Sequence, residues 1–135
     1  MPDLYLIFNH KITRLQENDA RRSLGVERIA ELPVDLKEMW CDIPPDLTEI
    51  WGYLEPVKQW LASKAKANDF VLIQGDFGAC FLMVNFALER GLVPVYSTTK
   101  REATEEYGED GSIRMTHRFE HRMFRRYEIF PGEGG

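Results

Sequence analysis

A chain of 135 residues, 44% hydrophobic and 29% charged, is long enough for one domain with a buried core and has an ordinary globular composition. No apolar run is long enough to cross a membrane, Asp3 stands where a signal peptide would be basic, and the net charge of -5 argues against a general DNA or RNA coat protein. Cys41 and Cys80 stand apart in apolar surroundings without a CxxC pair, so we expect reduced core residues in a cytoplasmic protein and no zinc site.

The first elements are predicted to be a buried strand, a helix and a short second strand. Residues 3–8 predict the strand because they are almost continuously apolar. A helix is expected from Thr13 to about residue 24, because Thr13 and Gln16 fit a capping box and Gly25 is a natural stop. Residues 26–30 predict the second strand.

Two helices are predicted next. Residues 34–40 predict a short helix that ends before Pro44. Asp46 or Thr48 is expected to cap a longer helix that reaches about residue 66, with Pro56 as a kink or break. The tryptophans of this segment, expected to serve in core or interface packing, are Trp40, Trp51 and Trp60.

A strand, a helix and another strand follow. The strand spans residues 70–74, the helix spans residues 79–90 and closes at Gly91, and the last strand spans residues 92–96. The order β-α-β-α-α-β-α-β indicates a single α/β domain over residues 1–130, with a mostly parallel sheet flanked by helices and right-handed crossovers.

The C-terminal segment alternates in polarity. Residues 102–111 are acidic, contain glycine and predict a loop with room for a short helix at its start. Residues 113–123 alternate apolar with polar side chains, which favours an extended strand or hairpin arm. A helix is the competing prediction, because Arg118, Arg122 and Arg125 share a helical face.

Charge is unevenly distributed in this segment. Residues 102–110 hold five acids and residues 114–126 hold five arginines. Either two solvated faces neutralise each other, or the arginines form a local positive patch for a small anion. The tail 131–135 is expected to be disordered.

Three polar turns follow three of the predicted strands, at residues 9–13, 74–78 and 97–101. If these strands are parallel neighbours, the turns converge at the carboxyl edge of the sheet, where open α/β folds bind ligands. Amides, hydroxyls, one imidazole, one carboxylate and two cations would meet there. That mixture suits a ligand that carries phosphate.

The turn at residues 74–78 joins a strand to a helix. Gly75 and Gly78 allow a tight turn and a close backbone approach, and the amides at the helix start are suited to a phosphate. A purely structural glycine turn fits the same pattern, and Asp76 fits a helix cap as well as a site residue. The pattern is neither GxGxxG nor a P-loop.

The other two turns offer an acid or base and an anion clamp. His10 is a candidate for proton transfer because its ordinary pKa is near 6.5, although a histidine at a strand end is more often structural. Asn9 is suited to a phosphate or a base edge. The hydroxyls and cations that would clamp an oxyanion, or else form a solvated turn, belong to Thr98, Thr99, Lys100 and Arg101.

His117 and His121 share one face of the predicted C-terminal strand among apolar neighbours. Packing into the core or into a dimer contact is therefore the first interpretation. Metal ligation would need a third donor, and none stands nearby in the sequence.

Five segments together resemble a known family. They are FNHKIT at 8–13, QGDFGA at 74–79, MVNF at 83–86, VYSTTKR at 95–101 and FEHRMFRRY at 119–127. In this order they resemble the small standalone CRISPR-associated proteins known as Csx-type ring nucleases of type III systems, over about residues 3–127.

The resemblance implies a Rossmann-like (CARF-like) fold and a symmetric homodimer or higher even oligomer. It implies cleavage of cyclic oligoadenylate, usually cyclic tetra-adenylate, which switches off the antiviral effector nucleases. The ribose 2′-hydroxyl would be the nucleophile, so no metal or cofactor is required, and neither DNA nor a membrane is an expected partner.

The resemblance also implies roles for individual residues of this chain. The expected catalytic residues are His10, Asp76, Thr99 and Arg101. The expected ligand-binding residues are Asn9, Thr13, Gln74, Gly75, Phe77, Gly78, Thr98 and Lys100. The alternatives that stay open are a non-catalytic sensor or sequestering protein, a metal-dependent phosphoesterase that uses Asp76 and the histidines, and a structural interaction protein.

Overall fold

The computed structural model describes residues 1–130, and the predicted disordered tail lies outside this range. The described strands are β1 (Leu4–Ile7), β2 (Ile29–Glu31), β3 (Phe70–Ile73), β4 (Val93–Tyr107) and β5 (Ile113–Arg126). The helices are α1 (Arg14–Asp19), which continues as one π-helical turn over Ala20–Leu24, α2 (Val34–Cys41), α3 (Glu55–Lys64) and α4 (Phe77–Glu89). None of these helices is long and apolar enough to cross a membrane.

The strands form one sheet in the order β2-β1-β3-β4-β5. The first four are parallel, and β5 runs antiparallel to β4. The chain is therefore an α/β protein with a mostly parallel sheet, as its order of elements predicts.

Helices cover the sheet on both faces. Leu36 of α2, Leu61 of α3 and Met83 of α4 pack with Ile7 and Ile73 on one face. On the opposite face, the π-helical turn after α1 contributes Ala20 to a second apolar cluster that includes Leu6, Leu72 and Val95 of the strands. β1 and β3 are buried on both faces, which explains their continuous apolar sequences.

The start of α1 confirms the predicted capping box. The Thr13 hydroxyl accepts a hydrogen bond from the Gln16 amide at 3.1 Å, and the Gln16 side-chain oxygen accepts one from the Thr13 amide at 2.9 Å. Gly25 ends the helical segment with a left-handed φ of 68°, a conformation that favours glycine.

The long helix predicted from Asp46 or Thr48 is wrong in its start. Helix α3 begins at Glu55, and Pro56 lies in its first turn. Proline is tolerated there because the first amides of a helix have no intrahelical partner. Pro56 therefore fits the first turn of this helix and does not kink it. Cys41 is exposed, contrary to its expected core position, whereas Cys80 is half-buried.

The turn predicted at residues 97–101 and the loop predicted at 102–111 are also wrong, because β4 continues to Tyr107. Pairing with β5 overrides the polar composition: Glu102 lies opposite Arg118 and Glu106 opposite Arg114. Opposite charges at such positions stabilise an antiparallel pair. The strand prediction for residues 113–123 is confirmed, and the helical alternative is excluded.

Beyond Ser97 the two last strands have lost β3 as a neighbour and pair only with each other. We call this two-stranded extension the arm, with residues 98–107 on β4 and residues 113–122 on β5. A β-bulge near its base lets Ser97 lie opposite Phe124 and Thr99 opposite His121.

Candidate functional site

From β1 the chain continues to β2 on one side of the sheet, and from β3 it continues to β4 on the other side. The carboxyl ends of β1 and β3 therefore flank the switch point of the sheet. Ile7 pairs with Ile73, so the turns that follow these two strands begin side by side. The chain after β1 leads to α1 on one face, and the chain after β3 leads to α4 on the other. In open α/β sheets, such a divergence leaves a crevice that binds ligands.

The turn after β1 carries His10 exposed to solvent. Its ring lies edge-on to Phe8, with 5.4 Å between the ring centroids. Asn9 is half-buried and borders a shallow cavity beside α2. Thr13, a predicted ligand-binding residue, is occupied as the cap of α1.

The turn after β3 is fixed by Trp40 of α2. The indole Nε1 of Trp40 donates a hydrogen bond to the Gln74 carbonyl oxygen at 2.8 Å. A Cβ atom on Gly75 would lie 2.7 Å from the same indole nitrogen, so this position requires glycine. A Cβ atom on Gly78 would find its nearest neighbour at 3.5 Å, which is ordinary contact.

Asp76 caps α4, since its Oδ2 accepts a hydrogen bond from the Ala79 amide at 3.0 Å. This confirms the cap that the sequence allows. The carboxylate thereby occupies one amide at the helix start and places negative charge there. An anion near this turn needs a cation as well as the remaining amides.

A chain of polar contacts connects the turn after β3 to the base of the arm. The Gln74 side-chain oxygen accepts a hydrogen bond from the Ser97 amide at 2.7 Å. Ser97 Oγ lies 2.5 Å from Nδ1 of His121, and Nε2 of His121 lies 2.7 Å from Asp19 Oδ2. Ser23 donates to the other Asp19 oxygen at 2.6 Å. With its proton on Nε2, the His121 ring satisfies both neighbours.

Sequence reasoning missed Ser97 and Asp19, and it placed His121 in apolar packing. The His121 side chain is only 4% exposed, yet both of its nitrogens have polar partners. Asp19 and His121 are 102 residues apart, so no local spacing reveals the pair. His117 is exposed beside Arg101, with 3.3 Å between an arginine nitrogen and the ring.

Serine, histidine and aspartate are the residue types of a hydrolase triad, but this geometry differs. In such a triad the nitrogen that faces serine is Nε2, whereas here it is Nδ1. The Ser97 amide already donates to Gln74, so it is not available to an oxyanion. Ser97 also lies within a continuous strand. We therefore interpret this series of polar contacts as a structural link that holds α1, β3, β4 and β5 together.

The electrostatics of Asp19 agree with a structural link. Desolvation acts to raise the pKa of this carboxyl, but the hydrogen bonds from Ser23 and His121 together outweigh it and hold the pKa below its ordinary value. The carboxylate is thus stabilised in its charged form by contacts that exist only in the folded chain.

The structure brings together two of the three predicted turns. Thr98 and Thr99 stay near the edge of the sheet, and the Thr98 hydroxyl both donates to the Met123 carbonyl and accepts from the Met123 amide, each at 3.2 Å. Lys100 and Arg101 are carried onto the arm. Arg101 lies about 13 Å beyond Ser97, at about 3.3 Å per strand residue.

A groove of about 640 Å³ opens beside the turn after β3. Its wall includes the predicted site residues Gln74, Gly75 and Phe77. The Phe77 side chain is 94% exposed and Phe81, one helical turn later, is 68% exposed. The other side of the groove, formed by the start of β4 and the end of β5, contributes Tyr96 and Tyr127.

Two titratable groups of the groove stay protonated at neutral pH. Burial raises the pKa of the Cys80 thiol to about 11 and that of Tyr127 to about 12. The Tyr127 hydroxyl donates to the Ile73 carbonyl at 2.6 Å. Cys80 is therefore a poor nucleophile here. Residues 1–130 contain no cluster of three or more His, Cys, Asp or Glu side chains arranged to hold a metal ion.

Comparisons with known proteins identify one family. The model of the family described as "Uncharacterized protein MJ1673 family" matches residues 2–125. A protein of Methanocaldococcus jannaschii, described as "Uncharacterized protein MJ1673", is 51% identical over 130 residues, which cover 96% of this chain and all of that protein. No solved structure matches. The chain therefore belongs to the MJ1673 family.

Proposed function

We propose that this member of the MJ1673 family is a ring nuclease that binds and cleaves cyclic oligoadenylate, with cyclic tetra-adenylate as the expected ring. In that role it would switch off antiviral signalling in type III CRISPR systems. The observation that carries the proposal is the groove at the carboxyl edge of the sheet, where solvent-exposed aromatic rings stand beside a strand-end turn. The ordered set of motifs that resembles ring nucleases supports the same function.

The groove offers stacking surfaces for adenine. Phe77 and Phe81 lie on one face of α4 with their rings largely in solvent, a position that costs hydration free energy without a ligand. Aromatic stacking is worth about 1–3 kcal/mol per base. The amides of Gln74 and Asn85 border the same space and are suited to the edges of a base.

A cationic group, the guanidinium of Arg125, adjoins the groove. Arg125 donates a hydrogen bond from Nη1 to the Tyr96 hydroxyl at 3.0 Å and so presents its guanidinium beside the aromatic wall. A phosphate in the groove would have backbone amides at the turn after β3 and this guanidinium beside Tyr96 as its candidate partners.

The proposed reaction uses the substrate's own 2′-hydroxyl as nucleophile on the adjacent phosphorus. The protein then has to align the sugar and phosphate and assist proton transfer. His10 is the exposed imidazole at the switch point of the sheet, and we assign proton transfer to it. The first products would be short linear adenylates with 2′,3′-cyclic phosphate ends.

The test is incubation of the protein with cyclic tri-, tetra- and hexa-adenylate, with and without EDTA, followed by mass analysis of the products. We expect cleavage in both conditions. Loss of cleavage in EDTA would favour the metal-dependent phosphoesterase. Binding without cleavage would favour the sensor, and absence of binding to any ring would contradict the proposal.

Two variants at one position test the groove itself. Phe77→Ala removes a stacking surface and is expected to weaken ring binding by about 5- to 150-fold, which corresponds to about 1–3 kcal/mol. Phe77→Trp is the matched control, because it keeps an aromatic face and should keep most of the affinity. Equal affinities for both variants would place the ring outside this groove.

A further inference from the structure

The arm has one charged face and one apolar face. On the charged face, Lys100 lies opposite Glu120 and Glu102 lies opposite Arg118. The apolar face carries the exposed side chains Tyr107, Ile113, Met115 and Phe119, which are 51% to 73% exposed. Within the described chain, no helix or strand covers these four side chains, whereas the base of the face is covered at His121 by Asp19 of α1.

An uncovered arm of this kind is physically unfavourable. A two-stranded hairpin alone is at best marginally stable in water. It needs a third strand, or another element packed against its apolar face. The arm extends for about 33 Å, at about 3.3 Å per residue over residues 98–107. Exposed apolar side chains grouped along one face of such an arm mark an interaction site.

The charges on the apolar face specify what covers it. Ala103 lies at the middle of the face, opposite His117. Arg101 and Glu105 lie on the same face, one cross-strand pair to each side of Ala103. A two-fold rotation about this central pair exchanges the two positions, so Arg101 faces the partner's Glu105, and Phe119 faces the partner's Met115.

We propose that the apolar face of the arm packs on the same face of a second copy, with the two arms antiparallel around a two-fold axis at Ala103. At the axis Ala103 allows close approach on the β4 side, His117 meets its own counterpart on the β5 side, and the arginine–glutamate pair forms twice in each dimer. A parallel arrangement would instead place Arg101 over the partner's Phe119 and Glu105 over the partner's Met115, so that neither charge would meet an opposite charge. The isologous antiparallel arrangement is thus the one in which the face is complementary to itself.

The arrangement carries the tip of each arm to the base of the other. Tyr107 and Ile113 pair across the tip, and Thr99 and His121 pair at the base, equally far from the central pair. The two-fold rotation therefore brings the tip against the partner's α1, whose Asp19 covers His121 at the base of the arm.

Charge reversal tests this interface, with molar mass by light scattering as the readout and no nucleotide present. We expect the wild-type protein to have twice the mass of one chain. Arg101→Glu and Glu105→Arg each place like charges together twice, and each should raise the dissociation constant at least about tenfold. The double variant, Arg101→Glu with Glu105→Arg, restores both pairs and should restore the dimer.

Thr104→Arg is the matched control, because Thr104 lies on the charged face beside Ala103 and opposite Thr116. It should leave the mass unchanged. A monomeric wild type, or single variants that remain fully dimeric, would overturn the proposal. Because no ring is present, these outcomes are independent of whether the protein cleaves cyclic oligoadenylate.

Cross-linking covers the case in which a charge variant fails to fold. In a Cys41→Ser background, which removes the exposed native thiol, Ala103→Cys should be joined across the axis by a short bis-maleimide. Thr104→Cys, which points to the opposite face, should not. A dimeric sample in which both cysteines cross-link equally would contradict the antiparallel face-to-face arrangement.

Discussion

At the scale of single residues, several predicted site residues already have structural roles. Thr13 caps α1, Asp76 caps α4 and Gln74 binds the backbone of β4. Such contacts hold the turns in place and leave their neighbours, His10 and Phe77, free to face solvent. A site built in this way separates the residues that position the crevice from those that touch a ligand.

Gly75 tests the contact that fixes the turn after β3. Gly75→Ala would place a methyl group 2.7 Å from Trp40 Nε1, which must move and lose its hydrogen bond to Gln74. We expect the free energy of unfolding to fall by about 1–3 kcal/mol, the usual cost of overpacking. Urea denaturation measures it.

Gly78→Ala is the matched control for this substitution. Its Cβ atom would meet Asp76 Oδ2 at 3.5 Å and Ile50 at 3.8 Å, so it fits without a clash. Because alanine is favoured over glycine within a helix, stability should stay equal or rise. Equal losses for the two variants would show that the close approach to Trp40 does not limit the Gly75 position.

Asp19 predicts a pH dependence of stability. Its folded pKa lies below the ordinary value, because the bonds from Ser23 and His121 outweigh desolvation. A group with a lowered folded pKa contributes stability above its unfolded pKa, and that contribution is lost as the pH falls through the folded pKa. We therefore expect part of the acid destabilisation below about pH 4 to come from Asp19.

Asp19→Asn removes this titration while keeping the side-chain shape. The variant should be less stable than wild type at neutral pH, and the difference should shrink as the pH falls below about 4. Urea denaturation at a series of pH values measures both curves. Parallel curves across the whole range would mean that the Asp19 contacts do not depend on its charge.

At the scale of elements, the base of the arm depends on Thr98. Its hydroxyl spans the bulge by bonding both the carbonyl and the amide of Met123. Thr98→Val removes both bonds at nearly constant volume, and each is worth about 0.5–1.5 kcal/mol. We expect a loss of stability of about that size and faster amide exchange at the base of the arm, around residues 97–99 and 121–124.

Hydrogen exchange followed by mass spectrometry resolves this local effect. Thr116→Val is the control, because Thr116 lies on β5 in the middle of the arm, away from the bulge. It should leave exchange at the base unchanged. If Thr98→Val alters ring binding but not exchange, then Thr98 serves the ligand, as the sequence predicts, and not the bulge.

At the scale of the whole molecule, the parallel sheet brings His10 and the turn after β3 to one edge. His10→Ala should lower the rate of ring cleavage by about 10²- to 10⁴-fold, the usual contribution of a positioned acid or base. Ring affinity should change little, because the stacking surfaces belong to the groove beside α4, and His10 is not among the residues that line it. Single-turnover kinetics and equilibrium binding separate the two effects.

A ring with 2′-O-methyl sugars tests the mechanism independently of any variant. It should bind but resist cleavage, since its nucleophile is blocked. Rapid cleavage of this ring would contradict the internal-nucleophile mechanism. It would favour an activated water, with Asp76 in place of His10 at the centre of the reaction.

The sequence by itself determined the elements that local physics controls. Continuous apolar runs specify β1 and β3 because both faces of these strands are buried. The capping box of Thr13 and Gln16 specifies the start of α1 because its partners are three residues apart. Two of the three predicted site turns follow directly from those elements.

Only the tertiary structure decided the β4 half of the arm and the contacts at its base. The residues after Tyr96 look like a polar turn, but pairing with β5, which follows the reversal at residues 108–112, extends β4 to Tyr107. The link between Asp19 and His121 joins positions 102 residues apart. Local sequence does not encode such partners, since the free energy that selects them comes from contacts that exist only after the chain has folded.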